Sequence, residues 1–155
     1  MAKGAQDWVA RTDLLLQTLS ELIVRYKYGA MQQYIANGVA NYPASGWYSW
    51  VSVSGKGILY GGYLAFSKAG YELFQLRITV DGVCATFPAC IDLSLLGLEK
   101  VPKAVCSLLV YDTVNHNYSI KLPEEITFES SLIIECYVPE IGLASWDSGI
   151  VYATI

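Results

Sequence analysis

Two spacings of apolar residues divide this chain. From about Thr12 to Ile35 the period is helical: Leu15, Leu19, Leu22 and Tyr26 fall at i, i+4, i+7 and i+11, Trp8 lies one heptad before Leu15, and Leu16 and Ile23 widen the stripe. The pattern predicts one amphipathic α-helix. Thr12 or Asp13 would cap its first turn, since a side-chain oxygen there accepts an otherwise unpaired backbone N–H, and Asn37-Gly38 would supply a left-handed stop. Such a stripe either lies on the chain's own sheet or joins subunits.

After the loop Asn41 to Gly46 the period becomes that of strands. Trp47 to Val53 reads as a strand that Ser54-Gly55-Lys56-Gly57 turns into Ile58-Leu59-Tyr60, and Gly61-Gly62 predicts a bulge or sharp bend before Tyr63 to Phe66. Further on, Phe74, Leu76, Ile78 and Val80 share one face while Gln75, Arg77 and Thr79 share the other, and Asp81-Gly82 offers the positive φ angles of a tight turn into Val83 to Phe87. Val105 to Tyr111 and Tyr118 to Leu122 predict a second hairpin around the polar tip Asn115-His116-Asn117. Ile126 to Phe128 and Leu132 to Val138 add strands, the latter ended by Pro139. The apolar tail Ile141 to Ile155 is either the last strand of the sheet, which the reading favours, or an arm added to a neighbour's sheet. Short strands with no helix between them predict a mainly β fold, an antiparallel β-sandwich or jelly roll over residues 41–155, preceded by one helix within residues 1–40.

Composition adds a requirement. Apolar residues make up 54% of the 155 and charged residues only 15%, against about 25% charged in an ordinary soluble domain. One small domain does not hide that much apolar surface alone, so part of it is expected to be covered by assembly. The longest strongly apolar stretches fall far short of the roughly 18–20 uninterrupted residues of a membrane-spanning helix, so no membrane span is expected. Met1 to Asp7 lacks the features of a secretory signal, which predicts synthesis in a cytoplasm without a signal peptide. A net charge of -4 with scattered Lys and Arg disfavours nucleic acid as a partner.

Candidate chemistry is sparse. Cys84, Cys90, Cys106 and Cys136 form no CxxC pair, so zinc and redox motifs are absent; they read as buried reduced thiols, with a Cys84–Cys90 bridge left open. The sole histidine, His116, has no nucleophile elbow to serve, and no acidic run has calcium-loop spacing. Glu124, Glu125, Glu129 and Glu135 are the one acidic cluster, but neighbours on a strand face opposite ways, so a hydrolytic carboxylate pair is not expected. Ser-Gly-Lys-Gly lacks the longer spacing of a phosphate loop. No catalytic, metal-binding or cofactor-binding residue is therefore predicted. Trp47, Tyr48 and Trp50 crowd one strand; with Asn115, His116 and Asn117 they define an alternative, a carbohydrate- or receptor-binding module whose partner would be a host glycan.

Val51-Ser52-Val53-Ser54-Gly55-Lys56-Gly57-Ile58-Leu59, followed by Leu76-Arg77-Ile78-Thr79-Val80-Asp81-Gly82, resembles a pattern in β-sandwich virion structural proteins of tailed bacteriophages. The resemblance spans a Ser-Gly-x-Gly turn and an Ile-x-Val-Asp-Gly hairpin, and it covers roughly the 35 residues that carry this turn chemistry. It implies a non-enzymatic decoration, tail, adaptor or fibre component, located in the virion, homo-oligomeric and by family habit trimeric, with other virion proteins as partners. The residues expected to join subunits are Trp8, Leu15, Leu19, Leu22 and Tyr26 of the helix and Trp146, Ile150 and Tyr152 of the tail.

Overall fold

The computed structural model describes residues 15–16, 30–97 and 106–155. Within them the chain forms ten strands: β1 (Met31–Tyr42), β2 (Gly46–Ser54), β3 (Gly57–Ser67), β4 (Gln75–Val80), β5 (Val83–Thr86), β6 (Ser107–Asp112), β7 (Asn117–Leu122), β8 (Ile126–Phe128), β9 (Ser131–Val138) and β10 (Gly142–Thr154). All pair antiparallel, in two sheets. One has the order β1-β10-β3-β7-β6, with β8 continuing the line of β7 along β3, and the other the order β2-β9-β4-β5. Set β6 and β8 aside and the eight remaining strands form two sets of four, β1-β10-β3-β7 and β2-β9-β4-β5, the strand order of a jelly roll.

The core lies between the sheets and follows from alternation. Leu132, Ile134, Cys136 and Val138 of β9 point inward while Ser131, Ile133, Glu135 and Tyr137 point outward. Leu59, Leu64 and Phe66 of β3, Leu76 and Ile78 of β4, Ile120 and Leu122 of β7 and Ile150 of β10 meet them. The buried Ser148 hydroxyl donates to the Ala36 carbonyl at 3.0 Å, so its polarity is satisfied. The bend expected at Gly61-Gly62 is a bulge: Val151 faces Gly61 and Tyr152 faces Leu59, leaving Tyr60 without an opposite.

The predicted strands from Trp47 to Val138 and both predicted hairpins are present. Three expectations are corrected. Helix does not extend to Ile35 with a stop at Asn37-Gly38, because Met31–Tyr42 is a strand paired along its whole length with β10. A helix does interrupt the strands, α1 (Cys90–Leu95), and Tyr71–Leu73 adds a turn of 3-10 helix. Cys84 is exposed and not buried; all four cysteines are free, as expected, and the bridge left open between Cys84 and Cys90 is not formed. Leu15 and Leu16 are helical and exposed; Trp8, Leu19, Leu22 and Tyr26 lie outside the described residues.

Candidate assembly surface

Among the described residues the longest sheet-edge strand is β1. Within those residues the strand pairs with β10 on one side only and ends the six-stranded sheet on the other, so every second residue presents an N–H and C=O that none of them pairs. Its twelve residues, Met-Gln-Gln-Tyr-Ile-Ala-Asn-Gly-Val-Ala-Asn-Tyr, include no charge and no proline, the two features that commonly protect such edges. Tyr34, Ala36 and Gly38 stand opposite Ile150, Ser148 and Trp146, whose side turns toward the core; Met31, Ile35 and Val39 therefore face out. They are 66%, 63% and 64% exposed, and Leu143 of β10 adds a further exposed side chain beside Asn41.

The tail residues expected to join subunits are elsewhere. β10 lies between β1 and β3, bonded on both sides, so it is the last strand of the chain's own sheet and not an arm. Ile150 is fully buried, and Trp146 and Tyr152 pack partly buried against the core.

The three crowded aromatics of β2 turn different ways. Trp47 faces out, its ring centroid 5.5 Å from that of the opposite Tyr137. The Arg77 guanidinium sits 4.3 Å from the centre of the Trp47 ring. Its Nε and Nη2 donate to Glu135 at 2.6 and 2.7 Å, and this ion pair holds the Glu135 carboxyl below the ordinary range. Tyr48 turns inward, edge-on to Tyr42 with centroids 4.9 Å apart, and donates its hydroxyl to the Ala44 carbonyl at 2.7 Å. Trp50 is the bulged residue of β2, packed on the core with its indole N–H buried and unpartnered. Tyr34, Tyr42, Tyr48, Trp50 and Trp146 border a gap of about 240 Å³ between the sheets.

The polar tip belongs to the other sheet, between β6 and β7. Asn115, His116 and Asn117 are exposed, with the Asp112 carboxylate accepting from the Val114 and Asn115 backbone N–H groups at 2.9 and 3.0 Å and from Asn115 Nδ2 at 2.7 Å. His116 takes a positive φ of 55° there, and its carbonyl accepts from the Lys68 N–H at 2.9 Å. The tip is thus a self-satisfied turn, and it does not share a face with Trp47. The acidic cluster is also dispersed. Glu124 pairs with Lys121, Glu129 with Lys56 and Glu135 with Arg77, each at 2.6 Å. Among the described residues no three His, Cys, Asp or Glu side chains converge as metal ligands, and no helix is long and apolar enough to cross a membrane.

Sequence reasoning missed two parts of this surface. Tyr137 and Arg77 meet Trp47 through strand register, for which no local signal exists. The outer face of β1 was hidden by the helical reading of its first residues.

No family model and no characterised protein matches the sequence. Similar solved structures include infectious bursal disease virus, Gx strain, at 11% identity and a TM-score of 0.43, covering 81% of this chain and 32% of that one. The acid-stable capsid of Helicobacter pylori bacteriophage KHP30 is similar at 10% identity and 0.43, covering 80% and 93%. The capsid asymmetric unit of cyanophage Pam1 is similar at 8% identity and 0.43, covering 82% and 88%. The chain spans about a third of the length of the first of these.

Proposed function

We propose that this chain is a structural protein of a virus particle, a phage particle by the resemblance of its turns, that self-assembles and attaches through protein–protein contacts and catalyses no reaction. Its partners are copies of itself and other virion proteins. Jelly rolls serve viral shells, lectins and other proteins alike, so the strand order alone selects no function. The observation that carries the reading is the edge of β1: among the described residues a sandwich with a packed core still leaves a twelve-residue, uncharged strand open along its backbone, with Met31, Ile35 and Val39 exposed among amides on its outer face. Such an edge left bare is a site of indiscriminate association, whereas one covered by a defined neighbour is an assembly contact.

The alternative, a glycan-binding module, draws less support. Arg77 already covers one face of Trp47, and Tyr48 and Trp50 turn inward. The test is light scattering of the purified full chain at micromolar concentration, joined to mass spectrometry of sedimented particles from cells that make it. An oligomer, together with the chain as a stoichiometric particle component, is expected. A monomer that is absent from particles overturns the reading.

A further inference from the structure

From the order of residues along β1 we infer the contact itself: two copies join their β1 edges antiparallel about a two-fold axis through Asn37, making one continuous sheet. This deepens the self-assembly half of the reading above and rests on it.

Beyond Met31, which has no counterpart within the strand, the outer face of β1 reads Gln33, Ile35, Asn37, Val39, Asn41, an amide, a β-branched residue, an amide, a β-branched residue and an amide. The sequence is a palindrome in side-chain type. In an antiparallel pair centred on Asn37, Ile35 stands opposite the second copy's Val39, Gln33 opposite its Asn41, and Asn37 opposite itself. On the inner face the same centre sets Tyr34 against Ala40 and Ala36 against Gly38, with Gln32 and Tyr42 meeting at the ends of the paired span. Moving the axis by one residue in either direction sets Ile35 and Val39 opposite amides and loses the β-branched cross-strand pairs. A two-fold contact uses the same patch on both partners, so a patch that complements itself from Gln33 to Asn41 selects a second copy as its occupant. The absence of charge removes the repulsion that self-pairing would otherwise meet. Since directly opposed residues exchange two backbone bonds at alternate positions, the pairing closes the open edge with about ten new hydrogen bonds. A trimer would have to be built with some other surface.

The test uses the full chain with Cys84→Ser, which removes the one exposed thiol. Directly opposed antiparallel residues have Cα atoms about 4.5–5.5 Å apart, within the range a disulfide spans. Asn37→Cys is therefore expected to cross-link to itself under mild oxidation. Gln33→Cys alone should not, whereas a mixture of Gln33→Cys and Asn41→Cys chains should yield the mixed dimer. In parallel, I35K/V39K places four like charges in opposed pairs and is expected to weaken association by roughly a hundredfold. It should leave the circular dichroism and the melting temperature of the dilute protein unchanged, because both side chains are exposed. An oligomer that survives I35K/V39K and gives no cross-link at residue 37 overturns this pairing while leaving self-assembly standing. A wild-type chain that stays monomeric, its β1 amides protected from exchange by its own leading residues, also overturns the pairing; its presence in particles then decides the particle reading separately.

Discussion

At Gly62 a side chain has no room. A Cβ there would fall against the carbonyl oxygen of Gly149 and 2.9 Å from the Cα of Ile150, both backbone atoms of the neighbouring strand. Gly62→Ala should cost about 3 kcal/mol, combining overpacking with backbone strain, and urea denaturation measures it. Asp81 is fixed differently. Its carboxylate accepts from the Ser130 and Ser131 backbone N–H groups at 2.7 and 3.0 Å, from Glu129 N–H at 2.9 Å and from the Ser130 hydroxyl at 2.8 Å. Those donors, the backbone N–H of Glu129 foremost, hold its pKa far below the ordinary carboxylate value. A carboxyl depressed by folding contributes stability that is fully present above its unfolded pKa, about 3.9, and that disappears as pH falls toward the folded value. Asp81→Asn should thus lower the melting temperature at pH 7 and flatten its fall on acidification below about pH 4, as a pH series of thermal melts would show. The thiols divide as sharply: Cys84 is exposed, while burial pushes Cys106 and Cys136 up to about 12 and raises Cys90 further. One thiol of four should react with a disulfide reagent in the native protein and all four in denaturant.

Elements were legible in proportion to how one-sided their burial is. β4 and β9 alternate because one face is core and the other wet, and the sequence shows that alternation directly. The Asp81-Gly82 turn was equally plain, since both residues take the positive φ, 49° and 84°, that the turn demands. β1 hid for the opposite reason. As an edge strand it is exposed along most of both faces, so burial imposed no period of two, and its Met, Gln and Ala residues suit a helix equally well. α1 escaped notice because six residues are too few to display a helical period. β10 was seen as a strand, but its place between β1 and β3 is a matter of non-local pairing that no local pattern encodes. That place makes it indispensable: removing residues 142–155 strips β1 from the sheet and uncovers β3. Such a truncation should lose cooperative thermal unfolding altogether, whereas the loss of a mere arm would leave the melting temperature in place.

For the whole molecule, the low proportion of charge and the open edge describe the same fact from opposite ends. The sandwich packs its core between two sheets without drawing on Ile35, Val39, Met31 or Leu143, so among the described residues part of the apolar surface stays outside the core. If a second copy covers that surface, stability and association become linked, because whatever binds only the folded chain raises its melting temperature by mass action. A hundredfold rise in protein concentration above the dissociation constant then adds about 2.7 kcal/mol. For a chain of this size that moves the midpoint by about 5–10 °C. Differential scanning fluorimetry across that concentration span should show this rise for the wild-type chain and none for I35K/V39K. Equal midpoints at every concentration for the wild type would mean that the fold gains nothing from its neighbours, and the apolar edge would then owe its exposure to something other than assembly.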